Sequence, residues 1–151
     1  MYSRYIPLKE RNARKMEIKE LIQRAIDALP NSYAPYSNFK VAAALLTKGQ
    51  KVYTGCNIEN AAFSPTNCAE RTAFFKAVSE GEREFDSIVI FGGKEGKITD
   101  YCPPCGVCRQ VMMEFCNPRT FWIILAKSPE DYKVYTLEKL LPEGFGPGNL
   151  L

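Results

Sequence analysis

Histidine is absent from this chain of 151 residues. Its absence excludes Ser-His and Cys-His nucleophilic mechanisms, together with every zinc site that uses an imidazole ligand. A transition metal could therefore be bound only by cysteine, aspartate or glutamate. The sequence also lacks an apolar run long enough to span a bilayer, so we expect no membrane partner.

A marked excess of either charge is missing as well. Lysine and arginine number 20 against 17 aspartates and glutamates, and no basic stripe is interleaved with aromatic residues, so we expect no nucleic-acid partner. A small-molecule substrate suits this balance better. No secretory signal is recognisable, and the six cysteines are therefore interpreted as reduced thiols of a cytoplasmic protein.

The periodicity of apolar residues predicts one α/β domain over residues 15–151. Residues 1–14 show no clear period and are interpreted as an N-terminal arm. The order of the elements predicts a central sheet with helices on both faces. The predicted helices are 15–29, 67–79, 105–116 and 136–141, and the predicted strands are 40–47, 51–55, 87–91, 121–126 and 132–135.

Two cysteine motifs stand where metal-assisted hydrolysis would need them. Residues 68–71 read Cys-Ala-Glu-Arg, and residues 104–108 read Pro-Cys-Gly-Val-Cys. A Cys-x-Glu motif followed by Pro-Cys-x-x-Cys matches the spacing of zinc nucleobase deaminases, with cysteine in place of their histidine ligand. We therefore predict that Cys68, Cys105 and Cys108 bind Zn²⁺, which leaves the fourth tetrahedral position for water.

Glu70 has two interpretations. As the residue three positions after Asn67, it could complete a capping box at the start of the second helix. It also shares a helix face with Ala73 and Phe74, which directs its carboxylate toward the core, where a charge needs a specific reason. We predict that Glu70 is the catalytic acid and base that moves protons from water to the substrate.

Arg71 and Arg109 each follow a predicted ligand closely. Three thiolates would leave a zinc site with a formal charge of −1, which weakens the metal as an acid. We expect both guanidinium groups to donate hydrogen bonds to ligand sulfurs and so to offset this charge. The alternative is that they are ordinary surface arginines.

Two other kinds of site use similar residues. Cys102 is close enough in sequence to make a structural four-cysteine zinc site conceivable, although residues 103–104, both proline, disfavour that approach. Cys105 and Cys108 alone would also suit a thioredoxin-like redox motif, but that motif does not need Cys68 and Glu70. Metal content and turnover together separate these alternatives.

Further motifs extend the pattern beyond the cysteines. Residues 57–60 read Asn-Ile-Glu-Asn, Phe39 ends the segment Tyr-Ser-Asn-Phe, and the tail contains Leu-Leu-Pro at 140–142 and Phe-Gly-Pro at 145–147. With these motifs in this order, the chain resembles the small cytidine deaminases of the three-cysteine zinc class. Pro103 stands where those enzymes often carry a small polar residue. A blasticidin-type aminonucleoside deaminase, which shares the zinc motifs, is the nearest rival.

The resemblance implies a three-layer αβα sandwich with a central mixed five-stranded sheet. It implies hydrolytic deamination of cytidine and deoxycytidine in pyrimidine salvage, by a homotetramer with one Zn²⁺ per subunit and active sites shared between subunits. The residues that it assigns to the nucleoside are Asn57 and Glu59 for the ribose hydroxyls, Phe39 for packing, the backbone of Ala69 for the base, and Phe145 for stacking in a neighbouring subunit's site.

Overall fold

The structure, a computed structural model, describes residues 15–151. The predicted arm, residues 1–14, lies outside the described range. Within these residues, four α-helices, five strands and two short 3₁₀ turns follow one another. The helices are α1 Ile18–Ala28, α2 Ala69–Ser79, α3 Gly106–Phe115 and α4 Leu137–Leu140, the strands are β1 Phe39–Thr47, β2 Val52–Cys56, β3 Phe85–Lys94, β4 Trp122–Ser128 and β5 Asp131–Thr136, and the 3₁₀ turns are Leu29–Asn31 and Pro147–Asn149.

The five strands form one mixed sheet in the order β2-β1-β3-β4-β5. Only β3 and β4 pair in parallel, and the crossover between them contains α3. The other neighbouring strands are antiparallel. The predicted mixed five-stranded sheet with helices on both faces is therefore confirmed.

Successive residues of β1 serve opposite faces of the sheet, because side chains alternate along a strand. Val41, Ala43 and Leu45 belong to the core cluster that includes α2 and α3, whereas Ala44 and Leu46 pack with α1. Both faces are covered, so β1 reads as a continuous apolar run without alternation.

The hydrophobic stripe of α1 covers one face of the sheet. Leu21, Ile22 and Ala25 are almost completely buried there. On the opposite face, α2 contributes Ala73, Phe74 and Ala77 to the larger core. The N-terminal ends of α2 and α3 carry the cysteine motifs, so the site lies on this second face.

The boundaries differ in places from those predicted. Strand β3 runs from Phe85 to Lys94 instead of 87–91, because its glycine-containing end, residues 92–94, still pairs with the start of β1. Within residues 15–151, no helix combines the length and the apolar character needed to cross a membrane.

Candidate metal centre and active site

The N-terminus of α2 is built by Cys68, which is the N-cap residue and has an extended backbone. Asn67, the expected N-cap, stands one position earlier, and its side chain donates to Thr72 Oγ1 at 3.1 Å. The capping-box interpretation of Glu70 was therefore wrong. The helix begins at Ala69, which is fully buried.

The second pair of thiols lies at the start of α3. Cys105 is the N-cap residue, and its sulfur accepts from the backbone N–H of Cys108 at 3.5 Å. Cys108 itself is buried in the first turn. Helix N-termini present unpaired N–H groups and a partial positive charge, which suit an anionic group of metal ligands.

The structure brings Cys68, Cys105 and Cys108 together. Their sulfurs all lie within 4.8 Å of one another, and Cys68 Sγ and Cys105 Sγ are 3.8 Å apart. A tetrahedral zinc ion with Zn–S bonds of about 2.3 Å requires sulfurs roughly 3.8 Å apart. The donor set and its spacing therefore fit Zn²⁺. Cys102 does not belong to this group, which removes the geometric support for a four-cysteine site.

Ionisation of the cluster is uneven. Hydrogen bonds from the Cys108 thiol and then from Arg71 lower the pKa of Cys68 to about 5. The same contact with the Cys68 thiolate, followed by burial, raises the pKa of Cys108. In the metal-free protein, Cys68 therefore ionises before Cys108.

Glu70 lies in the first turn of α2, two residues after Cys68, and only 4% of its surface is exposed. Burial raises the pKa of this carboxyl to about 7, and the nearby Cys68 thiolate acts in the same direction. A carboxyl that titrates near neutral pH can both accept and return a proton, which is the property of an acid-base catalyst.

The two arginines differ. Arg71 Nη2 donates to Cys68 Sγ at 3.3 Å, as expected, and its Nε is buried without a hydrogen-bond partner among the described residues. Arg109 does not follow the expectation. Its Nε donates to Pro104 O at 2.8 Å and its Nη1 donates to Leu140 O. Arg109 therefore links the segment before Cys105 to the end of α4. Among the described residues, its guanidinium group donates hydrogen bonds to carbonyl oxygens instead of sulfur.

Asn57 directly follows β2, and its side chain makes hydrogen bonds to three other residues of the same chain. Its Oδ1 accepts from Val41 N at 3.0 Å and from the hydroxyl of Ser32, and its Nδ2 donates to Phe39 O at 2.7 Å. The amide retains one N–H for a ligand. Phe39 is 40% exposed, so its ring is accessible.

Glu59 is held by the turn that precedes β1. Its Oε1 accepts from Ser37 N and from Ser37 Oγ, each at 3.1 Å. These serine contacts were not predicted, because residues 32–39 show no pattern in the sequence that marks them. The carboxylate has further acceptor positions, so it can still bind hydroxyl groups.

Phe145 lies in the C-terminal tail beside α3. Its carbonyl accepts from Gln110 Nε2 at 2.8 Å, and 57% of the residue is exposed. The tail backbone is thus fixed to α3, while more than half of Phe145 remains exposed.

The sequence is also similar to those of known proteins. A family model described as the cytidine and deoxycytidylate deaminase zinc-binding region matches residues 15–124. A cytidine deaminase of Sporosarcina psychrophila is 46% identical over 135 residues, which cover 89% of this chain and 96% of that protein.

Solved structures agree with the sequence comparisons. The crystal structure of cytidine deaminase from Burkholderia pseudomallei matches with a TM-score of 0.79 at 45% identity, and the match covers 86% of this chain and all of that one. Cytidine deaminase from Mycobacterium tuberculosis matches with a TM-score of 0.74 at 32% identity, covering 87% of this chain and 99% of that one.

Proposed function

The chain belongs to the cytidine and deoxycytidylate deaminase family, and from this we propose that it hydrolyses cytidine and deoxycytidine to uridine and deoxyuridine with release of ammonia. One observation carries the proposal: a carboxyl group, Glu70, is buried beside three convergent thiols. Neither a redox dithiol nor a structural metal site needs that carboxyl.

Cys68, Cys105 and Cys108 are the residues that would hold one Zn²⁺ per subunit. When bound, zinc would act as a Lewis acid that lowers the pKa of water at the open fourth position. Arg71 would keep its hydrogen bond to Cys68 Sγ and so reduce the negative charge of the ligand set.

Glu70 performs the proton transfers in the proposed mechanism. It takes a proton from the attacking water and delivers it to the ring nitrogen next to the amino-bearing carbon, and then transfers the second proton to the leaving amino group. The C–O bond forms first, as the ring nitrogen takes up the first proton, and the C–N bond breaks afterwards, as the second proton moves from the new hydroxyl group to the amino group. The products are the uracil nucleoside and ammonia. A carboxyl with a pKa of about 7 is suited to both directions of transfer.

Substrate recognition is assigned to the segment that pairs with the metal-ligand turn through Ile58 and Asn67, and to its neighbours. Asn57 and Glu59 would bind the ribose hydroxyls, Phe39 would pack against the nucleoside, and the backbone of Ala69 would contact the base. What supports the ribose assignment is spare hydrogen-bonding capacity. One N–H of the Asn57 amide and part of the acceptor capacity of the Glu59 carboxylate are not used by the hydrogen bonds described above. The protein would serve pyrimidine salvage in the cytoplasm.

A homotetramer with shared active sites completes the proposal. Phe63 is 72% exposed and contacts the ring of Tyr36 edge-on, with centroids 6.2 Å apart. Together with Phe145, these exposed aromatic side chains suit contact with other subunits. In this arrangement Phe145 of one chain would stack on a nucleoside bound by another.

The test is a substrate panel. Purified protein is incubated with cytidine, deoxycytidine, cytosine and blasticidin S, and absorbance loss and ammonia release are measured. We expect turnover of both nucleosides at much higher kcat/KM than cytosine. Preference for blasticidin S would assign the chain to the aminonucleoside deaminases, and zinc binding without turnover of any compound would contradict the enzymatic proposal.

A further inference from the structure

The metal-ligand turn and the segment assigned to ribose are directly hydrogen bonded. Ile58 N donates to Asn67 O and Asn67 N donates to Ile58 O, both at 2.9 Å. Ile58 lies between Asn57 and Glu59, and Asn67 immediately precedes Cys68. Two backbone bonds therefore join the residues proposed for the sugar to the first residue proposed for the metal.

The Thr72 side chain is hydrogen bonded to both Asn67 and Cys68. Its Oγ1 accepts from Asn67 Nδ2 at 3.1 Å and donates to Cys68 O at 3.2 Å. A threonine hydroxyl in a helix often donates to the carbonyl four residues earlier, but here it also receives the side chain of the preceding residue. The hydroxyl therefore connects the Asn67 side chain to the backbone of Cys68, the first proposed metal ligand.

Strand β2 confines Thr72 from the other side. A β-carbon added at Gly55 would lie 3.0 Å from Thr72 Cβ and 2.5 Å from Ala69 O. Only a glycine permits this approach of strand to helix. Strand β2 ends at Cys56, one residue before Asn57. The close contact between Gly55 and α2 therefore also fixes where the segment Asn57–Asn60 begins relative to the first turn of α2.

We infer that Thr72 is a positioning residue, which sets the register between the metal-ligand turn and the segment Asn57–Asn60. This inference rests on the proposed function, because it assigns those two parts to metal and ribose. Thr72 contacts neither substrate nor metal in this role. It acts through Asn67, whose side chain it holds and whose backbone pairs with Ile58.

The experiment compares Thr72→Val, which keeps the shape but removes the hydroxyl, with Thr72→Ser, which keeps the hydroxyl. Thr120→Val is the matched control, since Thr120 is exposed in a turn. The measured quantity is the ratio of kcat/KM for cytidine to that for 2′,3′-dideoxycytidine, which lacks the 2′ and 3′ hydroxyls and keeps the 5′ hydroxyl. Zinc content is measured for each variant.

We expect the ratio to fall about 3- to 10-fold in Thr72→Val, as for the loss of one hydrogen-bonded connection, with zinc still at one per chain. Thr72→Ser should restore the ratio, and Thr120→Val should leave it unchanged. A ratio in Thr72→Val equal to wild type, or an equal loss in Thr72→Ser, would overturn the inference. If Thr72→Val does not fold, Asn67→Ala removes the other partner and is judged by the same ratio.

Amide hydrogen exchange tests the inference without turnover. The Ile58 amide donates to Asn67 O, and its exchange should accelerate about 3- to 10-fold in Thr72→Val and return to wild type in Thr72→Ser. Unchanged exchange at Ile58 would contradict the positioning role even in an active enzyme. Wild-type protein that fails to deaminate cytidine would overturn the proposed function, and the exchange measurement would still decide whether Thr72 sets the register.

Discussion

Glu70 shows how a single buried side chain can oppose stability and serve chemistry. Its carboxyl lies beside the Cys68 thiolate in a position that water scarcely reaches, and burial is the main reason for its raised pKa. A protein under selection for stability alone would place an apolar side chain here. We therefore expect removal of this charge to stabilise the metal-free protein.

Glu70→Gln tests this expectation. In the folded protein the pKa of Glu70 rises from its ordinary value of 4.5 to about 7, so the folded state is progressively destabilised as pH increases through that interval. The full cost, reached above pH 7, is at most about 3 kcal/mol. At about pH 8 the chelated variant should therefore be more stable than chelated wild type, and at about pH 4 the gain should vanish.

Urea unfolding at both pH values measures this difference in the free energy of unfolding. Glu114→Gln, an exposed change of the same kind on α3, should show no comparable gain. A stabilisation by Glu70→Gln that is equal at both pH values would mean that the carboxyl is not held in a raised-pKa environment.

The cysteines differ in a way that substitution can measure. Cys105→Ala should lose zinc and activity together, because it removes one of three converging sulfurs. Cys102→Ala should keep both: Cys102 lies outside that group, and burial raises the pKa of its thiol to about 12. Zinc content after dialysis decides the assignment. Zinc retained by Cys105→Ala, or lost by Cys102→Ala, would show that the ligands are chosen wrongly.

At the scale of elements, the site depends on how closely β2 approaches α2. A β-carbon at Gly55 would lie 2.5 Å from both Ala69 O and Ala73 N, and these backbone atoms cannot move without displacing the helix. Gly55→Ala should therefore destabilise the protein by about 1–3 kcal/mol and weaken zinc binding. Gly148→Ala, where a β-carbon would meet nothing within 4 Å, is the control. Thermal unfolding and chelator competition measure the two effects, and equal behaviour of the two variants would contradict the account.

Local sequence patterns predicted the elements better than their ends and contacts. The apolar period identified α1, α2 and α3, because one face of each must be buried. It could not show that Asn67 pairs with Ile58 across a loop and leaves the N-cap position to Cys68. Arg109 was misassigned for the same reason, since its carbonyl partner Leu140 is 31 residues away.

For predicting the site, the spacing of the cysteines was more informative than the helix or strand propensities of the residues. A metal site restricts both the residue types and their placement at helix N-termini, so Cys68, Cys105 and Cys108 could be selected from six cysteines. The neighbours that hold Asn57 and Glu59, such as Ser37, were not predicted. Hydrogen bonds between loops leave no period in a sequence, and only the fold reveals them.

At the scale of the whole molecule, we propose that the enzyme works as an assembly of several chains. The ring of Phe145 is exposed while its carbonyl is fixed to Gln110, an arrangement suited to an aromatic side chain that serves another subunit. We predict that Glu70→Ala and Phe145→Ala chains, each impaired alone, regain partial activity when refolded together. Some mixed sites would then combine an intact Glu70 with a neighbour's intact Phe145.

Activity after mixed refolding is compared with the average of the two separate preparations. Size-exclusion chromatography with light scattering measures whether each sample forms the proposed tetramer. Mixed tetramers no more active than that average would show that Phe145 serves its own chain or has only a structural role.

The central claim, that three cysteines and Glu70 form one metal-dependent deaminase site, is tested most directly by zinc titration of the metal-free enzyme. Cytidine turnover, followed by loss of absorbance, should rise linearly with added zinc and stop rising at one zinc per chain. Glu70→Gln should bind the same amount of zinc and turn over at least about 100-fold more slowly. Full turnover by the metal-free enzyme, or zinc-loaded Glu70→Gln with wild-type kcat, would contradict the account.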